Sequence, residues 1–118
     1  MGYEFEPGAK IQGKDLSRID LTGVDVRGAD LSRSNLQGAI LSGTNLAYAN
    51  LSVANLRGAN LCDANLQGAD LSNADLSNTL LRGAILQGAN MAKADLTGTN
   101  MRGAFLQSAK LVDVERIG

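Results

Sequence analysis

From Ile11 to Leu111 an aliphatic side chain stands at every fifth position with no insertion or deletion, and polar or small residues fill the places between. Leu holds most of these positions, and Ile11, Val26, Met91 and Met101 are the replacements. Two residues before each aliphatic stands a small side chain, usually Ala, as in GADLS and LRGANL. A step of five fits no regular element. On a helix, at about 100° per residue, it leaves a net advance of about 140°, so successive leucines would scatter around the whole circumference. In a strand an odd period sends successive leucines to opposite faces. A coiled coil needs steps averaging 3.5, and these are absent.

What remains is a chain that turns a corner every five residues. Four such sides close a square, so that residue i stacks on residue i+20 at the interstrand spacing of about 4.8 Å. The aliphatic residue and the small one two places before it then point inward together, and the Asp or Asn between them faces solvent. After the aliphatic comes a polar residue and then, in many units, Gly, as at Gly23, Gly28, Gly38 and Gly43. Gly suits a corner with positive φ, as a type II turn requires. Arg33, Tyr48, Val53, Asp63, Asn73, Asn78 and Lys93 occupy the same slot elsewhere. A β-branched residue is strained at positive φ, so some corners are expected to use a different turn.

Composition adds bounds to this picture. The chain has 118 residues, with 11 basic and 12 acidic side chains and a net charge of -1, which gives no field to steer it toward nucleic acid or an anionic membrane. Aromatics are few (Tyr3, Phe5, Tyr48 and Phe105) and Trp is absent, so packing is expected to repeat rather than to fill an irregular core. Cys62 is the single cysteine and supplies no disulfide framework. No apolar run is long enough to span a bilayer, and MGYEFEPGAK does not read as a signal peptide. A cytoplasmic location is the expectation.

Runs such as ADLSRSNLQGAILSGTNL and ANLRGANLCDANLQGADLSNADL resemble the pentapeptide-repeat family, with its pattern A(D/N)LxX. The resemblance implies an all-β fold, a right-handed quadrilateral parallel β-helix, which here would have about five coils. Residues 1–10 are then a lead-in whose Tyr3 and Phe5 cap the first layer, 11–113 the repeat solenoid, and 114–118 a tail or partial cap. Lys14, Ile19, Val24 and Val114 depart from the small inward residue. Lys14 is tolerated there only if its ammonium reaches water.

Candidate chemistry is sparse. Without His there is no Ser/His/Asp arrangement and no His-based metal site, and neither catalytic residues, a metal nor a cofactor is expected. Stacking by twenty aligns carboxylates, Asp75 beside Asp95 for example, close enough to perturb one another, but on a wall with no pocket. The outward Asp/Asn position is taken by Ile40 and Leu80 in one column and by Ile85 and Phe105 in the next. These four form the candidate interaction surface. The resulting expectation is a non-enzymatic structural or protein-interaction module that presents a convex repeat surface to an unidentified protein partner. It admits a homodimer through the carboxyl end, where Val112, Val114 and Ile117 follow the last coil. Some members of the resembled family are similar to DNA in shape and charge, so a DNA-mimicking inhibitor of a type II topoisomerase is the alternative. Nucleic acid and membrane are not expected as partners.

Overall fold

The computed structural model describes residues 3–114. The hydrogen bonds of one unit, residues 55–59, show how each fivefold step is made. Asn55 donates its N–H to the carbonyl of Ser34 in the coil before (3.0 Å), and Leu56 donates to Asp75 in the coil after (2.8 Å). Arg57 donates to the Asn55 side-chain Oδ1 (3.0 Å), so the Asn closes a turn over its own unit. Gly58 donates to Ser77 (3.0 Å), and Ala59 donates back to Leu56 (2.9 Å) to close the corner. All five N–H groups are thereby satisfied, as buried or tightly stacked backbone requires. A pairing between residue i and residue i+20 recurs in register from Lys10↔Asp30 to Asn90↔Lys110.

This arrangement corrects the expected fold class. Among the described residues there is no helix and no β-strand; every pairing is an isolated parallel bridge of one residue, set between two turn residues and a single extended one. The cause is the step itself, because a corner every five residues interrupts the ladder before a second consecutive pair can form. The chain is therefore not the all-β, right-handed β-helix solenoid that the resemblance implied. It is a stack of turns joined by single bridges, and bridge register alone carries no handedness.

The corners are more uniform than expected. Every corner slot from Gly8 to Asp113 has positive φ, between 56° and 76°, including Val53 at 60° and Tyr48 at 60°. The corner bond from the residue after each slot back to the aliphatic accompanies this, as at Ala54→Leu51 (3.1 Å). No change of turn type relieves the non-glycine corners. Corner side chains instead lean onto the following coil: a Cβ placed on Gly68 would lie 2.6 Å from the Tyr48 ring.

The core is one column of leucines from Leu16 to Leu96, lined by alanines. Where Ser34, Thr44, Thr79 and Thr99 replace the inward Ala, each buried hydroxyl donates to a carbonyl 23 residues earlier, Leu21 in the case of Thr44 (2.7 Å). These hydroxyls thus enter the apolar interior without an unmet donor. The stack measures 36 × 21 × 19 Å. Among the described residues no helix is long and apolar enough to cross a membrane.

The two ends differ. Tyr3 and Phe5 meet edge to face at 6.3 Å and pack on the core, leaving Leu16 only 1% exposed. The Lys14 ammonium lies 5.9 Å from the Tyr3 ring centroid, so its charge stays at the surface while its stem lies along the end. At the other end Leu106, in the inward register, is 37% exposed and Val112 is 62% exposed. Met101, Leu111 and Val114 are half-buried. Beyond Val114 the expected tail, Ile117 included, lies outside the described residues.

Candidate functional site

The four outward apolar residues are placed by the loss of a local bond. In fifteen units between Asp15 and Asn100 an Asp or Asn Oδ1 accepts the N–H two residues on. Ile40, Leu80, Ile85 and Phe105 have no oxygen to offer; the first three interrupt this series and Phe105 follows its last member. Ile85 and Phe105 are bridged neighbours in one column. Leu80 stands on the adjoining wall, one corner before Ile85. Ile40 shares the Leu80 column but is separated from it by Asn60, so it stands apart. Phe105 is 60% exposed, Ile40 and Leu80 are each 40% exposed, and Ile85 is half-buried.

The corner between Leu80 and Ile85 holds a cleft of about 410 Å³ lined by Cys62, Asp63, Arg82, Gly83, Arg102 and Gly103. Its floor is low because two stacked corners are Gly. By register Arg82 and Arg102 stack above Cys62, and Asp63, which the sequence reading did not single out as a site residue, has its carboxylate against the Gly83 corner. Sorting the corner slots into columns of twenty would have exposed it. Among the described residues Arg27–Asp25 (3.6 Å) is the ion pair formed, so neither arginine of the cleft is matched to a carboxylate. Cys62 is a half-buried free thiol whose N–H donates to Asn60 Oδ1 (3.0 Å).

The acidic columns behave as local turn-closers. Asp20 is held below the usual carboxylate range by the Thr22 hydroxyl and then by the Thr22 N–H. Asp30 is lowered by the Ser32 hydroxyl and N–H, with a smaller contribution from the Lys10 charge. Asp95 is also lowered, by Thr97 first and more weakly by Arg57. The bridged Asp75 is not among the causes, so the hydrogen bonds to Thr97 set the direction. Among the described residues no three His, Cys, Asp or Glu side chains converge as metal ligands.

The functional expectation is corrected with the fold. A convex repeat surface built on β-sheet walls has no strands to build it, since each side contributes one bridged residue between turns. The mimicry alternative fails with it. The outward columns run Lys10, Asp30, Asn50, Asp70, Asn90, Lys110 and Asp15, Asn35, Asn55, Asp75, Asp95, and neither is a continuous negative wall.

Comparison with known proteins places the chain among repeat proteins of the same period. The profile described as pentapeptide repeats matches in 8 copies, over residues 8–38, 39–78 and 74–111. Among solved structures the chain is similar to a pentapeptide repeat protein of the Arabidopsis thaliana thylakoid lumen, with 37% identity, a TM-score of 0.78, and coverage of 80% of this chain and 66% of that one. It is similar to HetL, a pentapeptide repeat protein involved in heterocyst differentiation regulation in the cyanobacterium Nostoc, at 32% identity and TM-score 0.64, covering 88% and 56%. Rfr23, a pentapeptide repeat protein of the cyanobacterium Cyanothece, matches at 30% identity and TM-score 0.58 over 93% of this chain and 90% of that one. The chain thus spans 66% and 56% of the first two. No curated protein sequence matches.

Proposed function

Since the chain belongs to the pentapeptide-repeat family, whose members are structural or regulatory rather than catalytic, and is accordingly not an enzyme, we propose that it is an assembly element that pairs end to end. The carboxyl-terminal end of one copy meets the same end of a second. The observation that carries this reading is the contrast between the ends: Leu16 is 1% exposed beneath Tyr3 and Phe5, whereas inward-register Leu106 is 37% exposed beside a 60% exposed Phe105. A capped amino end disfavours head-to-tail growth and favours a closed twofold pair.

In this reading residues 1–10 are the lid, 11–113 the stack, and Ile85 and Phe105 the rim of the contact, with Leu80 on the adjoining wall. The pair leaves the walls free for a further protein partner. Arginines spread over several columns, with a single stacked pair at Arg82 and Arg102, give no stripe for nucleic acid, and a free Cys62 accords with the cytoplasm. The two short extents give an end of about 400 Å², so the pair buries well under the roughly 1,200 Å² of stable complexes. Association is expected in the micromolar range or weaker. Sedimentation velocity over a wide concentration range should show a monomer–dimer equilibrium that Phe105→Asn together with Leu106→Ser shifts to monomer. Phe105→Asn also restores the turn-closing oxygen found in most units, so lost association would not reflect lost folding. A wild-type chain that stays monomeric at all concentrations overturns the proposal.

A further inference from the structure

We propose that the corner cleft at Arg82 and Arg102 is an oxyanion-binding site, taking the carboxylate or phosphate of a ligand with an apolar body. Three independent features converge there. The first is charge: two arginines stacked by twenty residues line one cleft, and neither is paired with a carboxylate. Guanidinium groups match planar oxyanions through parallel N–H bonds.

The second is a formed oxygen position. Along this column Cys62 donates its N–H to Asn60 Oδ1 (3.0 Å) and Arg102 donates to Asn100 Oδ1 (3.1 Å). Between them Arg82 follows Leu80, which has no oxygen, and among the described residues its N–H has no acceptor. The backbone repeats in register, so the place filled by Oδ1 above and below is at Arg82 a place for a ligand's oxygen. The third is the surroundings. Gly103 keeps the floor low on one side while the Asp63 carboxylate lies over Gly83, and exposed Leu80 and half-buried Ile85 stand on the two walls that meet at this corner. An anion carried on an aryl or alkyl group satisfies both the charge and the apolar margins. Asp63, against the Gly83 corner, opposes the anion and sets the affinity below what two arginines alone would give.

The test is an amide-shift titration of the isotope-labelled full chain with benzoate and, separately, inorganic phosphate, at constant ionic strength. The expected result is saturable shifts centred on the Arg82, Gly83 and Gly103 amides. Benzoate outcompeting phosphate identifies the ligand group as a carboxylate on an apolar body, and the reverse order identifies it as phosphate. Arg82→Gln with Arg102→Gln places Gln where Gln37, Gln67 and Gln87 already stand, so folding is retained, and should weaken binding about tenfold or more. Asp63→Asn should tighten it. Absence of saturable shifts for both anions, or binding unchanged in the double variant, overturns the proposal. The titration is run at a concentration where sedimentation shows monomer, which separates its outcome from that of end pairing.

Discussion

Val53 holds φ at 60° with a β-branched side chain that is 51% exposed, a conformation that costs an ordinary residue about 1–2 kcal/mol. It does so because its N–H donates to Ser72 (2.9 Å) and the turn bond from Ala54 to Leu51 (3.1 Å) closes beside it. Leaving that corner would unmake both. Arg33, Val53, Asn73, Lys93 and Asp113 stack in one corner column whose only glycine is Gly13, whereas the other three columns are mostly Gly. Val53→Gly relieves the strain and loses little burial, against an unfolded-state entropy cost of about 0.4–1 kcal/mol. A net gain of about 0.5–1 kcal/mol is expected, seen as a rise in Tm of a few degrees. Asn73→Gly should gain less, because Asn tolerates this region. A Val53→Gly Tm at or below that of the parent chain would show the corner to be unstrained. The slot itself was legible in the sequence and its conformation was not. The cost to one residue argued for a different turn, while the ladder bonds that impose positive φ belong to the neighbouring coils.

The repeating element is the five-residue unit closed by its own Asp or Asn. Asp30 accepts from both the N–H (3.1 Å) and hydroxyl (2.7 Å) of Ser32, and Asn50 one coil on does the same for Ser52 (3.0 and 2.7 Å). The amide and the carboxylate are therefore interchangeable as turn-closers and differ in titration. Asp20 and Asp30 are lowered in the folded chain, chiefly by hydroxyl donors, so their contribution is fully present above the unfolded Asp pKa of about 3.9 and is lost as pH falls through the lowered folded values. Melting temperature should stay level from neutral pH down to about 5 and decline below about 4. Asp20→Asn with Asp30→Asn should flatten that decline without lowering stability at pH 7, and an unchanged acid profile would remove the carboxylates as its cause. At this scale the sequence was most informative. The twenty-residue columns follow from a period of five, and the bridges occupy those columns. The expected strands did not follow, because the same corner that sets the period limits each pairing to one residue. The candidate surface was half legible: Ile85 and Phe105 do adjoin, while the unmatched Arg82 N–H shows only when the missing oxygen at Leu80 is set against the hydrogen bonds of its neighbours.

Across the whole molecule the core is a single apolar column whose surroundings change from one end to the other. Leu56 and Leu106 are chemically identical and occupy the same inward register, but Leu56 is fully buried and Leu106 is 37% exposed. Leu56→Ala leaves a cavity between coils above and below, in a wall whose single-residue bridges hold the spacing, and should cost about 2–5 kcal/mol. Leu106→Ala in the monomer removes less buried surface and leaves no enclosed cavity, so its cost should be under about 1.5 kcal/mol. End pairing alters this ranking in one direction only. At concentrations where copies associate, Leu106 becomes buried and its truncation penalty grows, because binding that favours the folded state raises apparent stability by mass action. Denaturant melts of both variants and the parent at low and high protein concentration check this. The Leu56→Ala deficit should be the same at both concentrations, and the Leu106→Ala deficit should widen at the higher one. A Leu106→Ala deficit independent of concentration would mean that the exposed end meets no second copy.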